Sequence, residues 1–151
     1  MKSIAFKIGL IILLALPNFS FGQPAKGPDS LEAKIWREDC DNKVFTKVEI
    51  LPSIKGGIKN IEDSLSAYLV STNNFKEGSF AELAFTVSSG SVTLDIKTLT
   101  TTFQQPALLE QFIRSNSKLW KPAIQNERTV CAKILFDIVI TNNKLTCRIT
   151  Q

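Results

Sequence analysis

The sequence predicts an α+β fold in which an antiparallel sheet of three to four strands carries two helices on one face. Two segments place apolar residues at helical spacing, and four others alternate apolar and polar residues as strands do. Their order is extended arm, helix, strand, strand, helix, strand, short strand. A length of 151 residues predicts a single domain.

The first 22 residues are predicted to be an export signal. Lys2 and Lys7 give a positively charged start, and residues 8–16 form an apolar run without charge. Small residues at Ser20 and Gly22 suit a signal peptidase that cuts after Gly22. Because the run is shorter than the roughly 20 apolar residues of a spanning helix, we favour cleavage over a retained membrane anchor.

After cleavage we expect a flexible N-terminal segment over residues 23–42 and a folded domain over residues 43–151. The expected product is periplasmic or secreted and has no integral membrane span. Loss of the two lysines of the signal leaves 16 basic and 14 acidic residues, spread along the chain. This near-balance predicts no nucleic-acid partner.

The folded part begins with a strand or extended arm and the first helix. Residues 43–50 are rich in β-branched and aromatic side chains, and Pro52 ends them. Gly56 and Gly57 then open the helix, and we interpret them as a tight structural turn. Residues 71–74 end the helix. Its predicted apolar stripe consists of Ile58, Ile61, Leu65 and Leu69.

A hairpin follows. Residues 80–87 alternate, residues 88–91 form the turn, and a second alternating set runs through residues 92–96 with a polar extension to Thr102. Pro106 suits the first turn of the second helix, which Asn116 ends.

The last segment contains one long strand and a short one. Residues 125–128 are predicted to be a polar loop, and residues 130–140 form the long strand. Asn142 and Asn143 suit a two-residue turn because asparagine tolerates positive φ. That turn predicts that Cys147 of the final strand pairs with Ile138 on the core face.

These segments and their order together resemble the C-terminal domain of the TonB family in its stand-alone form. The matching segments are residues 44–49, 52–57, 79–86, 90–93, 120–123 and 130–138, together with Asn126. Lys55 replaces a frequent proline of the family, and one extra residue near Leu94 predicts a β-bulge. The chain has no long spacer and its N-terminal helix is predicted to be cleaved. The resemblance therefore implies the binding domain without the tether that transmits force.

The resemblance also implies how a partner is bound. Family domains are thought to hold a short receptor segment by adding it to the edge of the last long strand. Here that edge corresponds to Arg128, Val130, Ala132 and Ile134, and its Arg128–Ala132 end is expected to stay open. The implied partner is a protein or peptide of the envelope, such as a TonB-dependent receptor. The alternative is a scaffold protein that dimerises through this edge or binds cell-wall polymer.

Trp120 and Pro122 are interpreted as structural residues. A lone aromatic residue at a junction between elements usually packs in the core, and proline fixes a turn. Glu62 and Asp63 are interpreted as a solvated helix face.

The residue types argue against catalysis. The chain has no histidine, which removes the commonest general base and metal ligand. Its three cysteines lack metal-ligand spacing. In an oxidising compartment they predict one disulfide, from Cys40 to either Cys131 or Cys147, and one free thiol. We therefore expect a non-enzymatic protein without metal or cofactor.

Overall fold

The computed structural model describes Cys40 and residues 43–151, so the predicted signal and nearly all of the predicted N-terminal segment lie outside the described residues. The described helices are α1 (Ile58–Ser71) and α2 (Pro106–Ser115), with a 3-10 turn at Ser117–Leu119. The described strands are β1 (Val44–Phe45), β2 (Ser53–Ile54), β3 (Phe80–Val87), β4 (Thr93–Thr101), β5 (Trp120–Lys121), β6 (Ala123–Gln125), β7 (Arg128–Thr141) and β8 (Lys144–Thr150).

Both helices begin and end close to the predicted positions. Gly56 and Gly57 have φ angles of 82° and 87°, a left-handed region that suits glycine. Pro106 occupies the first turn of α2, where its missing N–H costs no hydrogen bond. Ile58, predicted in the apolar stripe, is 37% exposed at the first position of α1. The buried apolar residues are Ile61, Leu65, Leu69, Leu109, Phe112 and Ile113.

The mixed α+β class is confirmed, but the sheet has six strands and not three to four. Its path is β1-β7-β3-β4, and β6 and β8 also pair with β7. β1 is parallel to β7, while the other pairs are antiparallel. β1 lies within residues 43–50, which were predicted as a strand or extended arm, whereas the three residues of β6 are too few for alternation to reveal.

The β3–β4 pair contains the irregularity that the sequence predicted near Leu94. The register shifts where Ala84 pairs with Lys97 and Thr86 with Leu94, which gives β4 one extra residue. Asp95 lies in this stretch with a positive φ of 52°. A bulge of this kind bends and twists the strand.

The β7–β8 hairpin has the predicted turn and register. Asn142 and Asn143 have φ angles of 53° and 54°, and Ile138 pairs with Cys147. The Glu77 carboxylate accepts the backbone N–H groups of both asparagines at 2.8 and 2.9 Å. The turn is thus held from outside the hairpin.

One apolar cluster joins both helices to the inner face of the sheet, and Trp120 lies at its centre. The Trp120 ring makes edge contacts with Phe85 and Phe136 at centroid distances of 5.0 and 5.5 Å. β5 places it by pairing Trp120 with Ile54 of β2. Trp120 therefore acts in packing, and the half-buried Pro122 separates β5 from β6.

A disulfide ties the start of the folded part to β7. Cys40 is bonded to Cys131, with the two Cα atoms 5.7 Å apart and a sequence separation of 91. Of the two pairings that the sequence left open, this structure has the one to Cys131, and Cys147 is free. The bond lies in a small second cluster with Leu94 and Val92.

Removing this disulfide is expected to lower the free energy of unfolding by about 2–4 kcal/mol, because the bond closes a long loop in the unfolded chain. Urea denaturation of the Cys40→Ser variant, with and without dithiothreitol, measures the loss. The reductant should destabilise the native protein and leave the variant unchanged. Equal stability of native protein and variant without reductant would contradict the expectation.

Candidate binding groove

A surface groove lies at the N-terminal end of β7. We call it the arm groove. Lys43 and Phe45 line it from the arm, and Arg128, Thr129 and Val130 line it from β7. Its volume is about 520 Å³, which lies within the size range of small-ligand sites.

The remaining lining residues come from two turns and the disulfide. They are Ser89, Gln125, Asn126 and Cys131. The groove thus combines polar amides and hydroxyls with one aromatic ring and two cationic side chains.

The β6–β7 hairpin forms one wall of the groove. Asn126 and Glu127 make its two-residue turn, with positive φ angles of 50° and 60° that are typical of a type I′ turn. Glu49 of the arm holds this turn, because its carboxylate accepts the Asn126 N–H and the Gln125 side-chain N–H, each at 3.2 Å. The Gln125 side-chain oxygen accepts the Glu49 N–H at 3.0 Å. Arm and hairpin are therefore bound to each other.

The hairpin geometry determines which backbone groups of β7 are used. A two-residue turn makes Gln125–Arg128 a hydrogen-bonded pair, so the next pair, Ile124–Thr129, is not hydrogen-bonded. The backbone groups of Ile124 and Thr129 therefore point away from each other. Those of Ile124 bond to Ile50, with N–H to carbonyl distances of 3.0 and 3.2 Å.

On its other side, Thr129 has no neighbour among the described residues. Ile124 is its ladder partner, and no further described strand pairs with it. β1 begins two residues later, where Val44 pairs with Cys131. Within residues 43–151, the Thr129 N–H and C=O therefore form a short stretch of open strand edge, at a residue that lines the arm groove.

Of the four residues predicted to form the binding edge, two line the arm groove and two are buried in the sheet. Arg128 and Val130 line the arm groove, but their backbones pair with β6. Ala132 and Ile134 are buried and pair with β3. Ala132 also pairs with Phe45 of β1. The stretch expected to stay open is thus largely paired, and this expectation is corrected.

The open groups belong to Thr129, which the sequence prediction missed. The prediction chose residues that share a face, whereas the backbone groups at the edge come from the alternate residues. Residues 125–128 were interpreted as a loop. The signal that could have revealed the hairpin is Asn126, whose type tolerates positive φ between two extended segments.

Two helix carboxylates close the outer edges of other strands. Glu62 of α1 accepts the backbone N–H of Cys147 in β8 at 2.9 Å. Glu110 of α2 accepts the backbone N–H of Thr98 in β4 at 2.9 Å. Unpaired edge groups invite pairing with other chains, so such caps protect the fold. Glu62 is only 8% exposed, which corrects its interpretation as solvated, whereas Asp63 is exposed.

The free thiol and the metal-ligating side chains show what chemistry the described residues offer. Burial raises the pKa of the Cys147 thiol, and the charge of nearby Glu62 raises it further. The thiol therefore stays protonated at neutral pH and is a poor nucleophile. Within the part of the chain that the structure describes, no three metal-ligating side chains cluster. The helices of this part are all too short or too polar to span a membrane.

Comparisons of the chain with known protein families, with characterised proteins and with solved structures find no match. The groove must therefore be understood from its own geometry.

The Thr129 amide is expected to exchange with solvent much faster than the amide of Val130, which bonds to β6. We expect a difference of at least about tenfold, because one amide is open and the other is in a ladder. Residue-resolved hydrogen exchange by NMR measures both. Equal protection of the two amides would show that the Thr129 edge is occupied in the free protein.

The Cys147 thiol is expected to react with Ellman's reagent at pH 8 at least about a hundredfold more slowly in the native protein than in the urea-unfolded chain. Because the pKa of Cys147 is raised in the folded state, the free energy of unfolding depends on pH. The stability that the protonated thiol contributes is fully present below the unfolded-state pKa of about 8.5. It is lost as the pH rises from there toward the folded-state pKa. Glu62→Gln should lower this pKa slightly, because burial is the larger cause. Equally fast reaction of native and unfolded chains would contradict the assignment.

Proposed function

We propose that this chain is an exported, non-catalytic binding module of the bacterial envelope. It holds an extended segment of a protein partner as an added strand at Thr129. The observation that carries the proposal is the open strand edge of Thr129 inside the arm groove. In such pairing, main-chain hydrogen bonds supply affinity and side-chain contacts supply choice.

The bound segment would lie beside β7 at Thr129, next to the start of the arm. β1 already lies along β7 from Cys131, and Thr129 is two residues before that point. An added strand would give one N–H to the Thr129 carbonyl and accept the Thr129 N–H. Phe45 and Val130 offer apolar contact beside these bonds.

Exposed aliphatic side chains near the groove favour a protein partner over a cell-wall polymer. Val44 on β1 is 42% exposed, and Ile50, which pairs with Ile124 of β6, is 56% exposed. Both lie on elements next to the groove. Burial of such side chains against a protein partner lowers the free energy of the complex, and a sugar polymer offers less apolar surface for this burial.

A non-catalytic role is supported by how the acidic residues are used. The chain has no histidine. The carboxylates of Glu49, Glu62, Glu77 and Glu110 all accept backbone N–H groups. These groups serve the fold and do not face one another across a cleft. The TonB resemblance adds the outer-membrane receptor as a class of partner, and the proposal does not include energy transduction.

A photo-crosslinking amino acid in place of Thr129 tests the proposal in the native envelope. We expect discrete protein adducts at Thr129 and none at Thr100, an exposed residue of β4 that serves as the matched control. Irradiation links the two chains covalently, so a weak complex is also captured. The added strand would bring its side chains next to this position.

Two outcomes would contradict the proposal. Adducts of equal pattern and yield at both positions would indicate random contact. An adduct with the mass of two copies of this chain, together with a stable dimer in solution, would favour the scaffold alternative.

A further inference from the structure

We infer that the arm groove selects an acidic peptide segment, one that places Asp or Glu beside Thr129. This inference rests on the proposed function and names the chemistry of its partner. It is carried by two cationic side chains, Lys43 and Arg128, that line the groove without an acidic residue among the other lining residues.

Neither cation is engaged elsewhere in the part of the chain that the structure describes. The salt bridges there join Lys59 to Asp63 and Arg148 to Asp137. Neither Lys43 nor Arg128 donates a side-chain hydrogen bond. Two uncompensated cations at one groove attract an anionic group.

Glu49, an acidic residue of the arm, is committed to the hairpin. It accepts the Asn126 N–H and the Gln125 side-chain N–H, each at 3.2 Å. It does not line the groove, and neither does Glu127, which lies in the turn. Among the described residues, no acidic side chain therefore lines the groove with the two cations.

The two cations line the groove from two different elements. Lys43 directly precedes β1 and Arg128 is the first residue of β7, and both side chains line the arm groove with Thr129. An acidic residue of the added strand would enter the groove that both cations line. A carboxylate there would meet both cations.

A peptide fits this groove better than a polyanion does. Nucleic acids and acidic polymers are bound by many cations arranged along a stripe, whereas this groove has two. The Thr129 backbone edge and the Phe45 ring are also features that an extended peptide uses. The charge supplies selection, and the strand edge supplies the docking.

Three fluorescent eight-residue peptides test the inference on the mature chain. The first alternates Glu with Val, the second has Gln in place of Glu, and the third has Lys. Fluorescence anisotropy at low salt gives each Kd. We expect the Glu peptide to bind roughly tenfold more tightly than the Gln peptide, and the Lys peptide to bind most weakly, because two partly exposed ion pairs contribute modestly. Added salt should reduce the difference.

Reversal of the two charges is the decisive variant. The double substitution Lys43→Glu and Arg128→Glu should make the Lys peptide the tightest of the three. A matched control with Lys97→Glu and Lys144→Glu changes the net charge equally at exposed positions outside the groove and should keep the original order. Circular dichroism verifies that both variants are folded.

The outcomes separate this inference from the proposed function. Equal Kd values for the Glu and Gln peptides, with the Thr129 amide protected by either one, would overturn the acidic selection and keep the added strand. Binding without protection of the Thr129 amide would overturn both. An unchanged order of affinities in the charge-reversal variant, or no binding of any peptide at about 1 mM, would overturn the selection.

Discussion

The pairing of β7 is the constraint on which the rest of the fold depends. This strand of 14 residues pairs with β1, β3, β6 and β8, and each of these partners is shorter than β7. Ala132 pairs with β1 and β3 at once, so these two lie on opposite sides of β7. These short partners lie end to end along the two edges of β7. Among the described residues, Thr129 has one ladder partner, Ile124, and lines the arm groove. The candidate site thus lies just beyond the described start of β1 on this edge.

The acidic residues show how the fold treats its other exposed backbone groups. Glu62 and Glu110 cap outer strands, and Glu49 and Glu77 cap hairpin turns. Each carboxylate accepts an N–H that the ladder cannot satisfy, and a charged acceptor makes a stronger hydrogen bond than a neutral one. The helix carboxylates cap one N–H on each outer strand, that of Cys147 in β8 and that of Thr98 in β4. Among the described residues, no carboxylate accepts the Thr129 N–H in this way.

The sequence predicted those parts of the fold that depend on local pattern. Helix bounds followed from the spacing of apolar residues and from Gly57 and Pro106. The register of Ile138 with Cys147 followed from the turn at Asn142 and Asn143. Glu62 was misjudged because its burial depends on β8, which lies 85 residues away in sequence. No local pattern contains that contact.

The candidate site was less predictable for a different reason. Side-chain alternation shows which residues share a face, and Arg128 and Val130, which the resemblance named as edge residues, both line the arm groove. Alternation does not show which backbone groups lack a hydrogen-bond partner, because that depends on the turns and neighbouring strands at each end of the strand. The hairpin turn at Asn126 assigns the bonded pairs, and Thr129 becomes the open residue only once β6 is known. Pairs of short strands of this kind are decided by tertiary contacts.

The disulfide connects the cellular location to the proposed binding. β1 has two residues in its ladder with β7, and strands this short contribute little stability on their own. The Cys40–Cys131 bond holds the start of the arm beside β7, and thereby keeps Lys43 and Phe45 in the wall of the groove. Such bonds persist in oxidising compartments and are rare in the cytosol. The proposed export of the chain and the proposed binding edge are therefore linked: in an oxidising compartment the bond would form, and the bond would complete the groove.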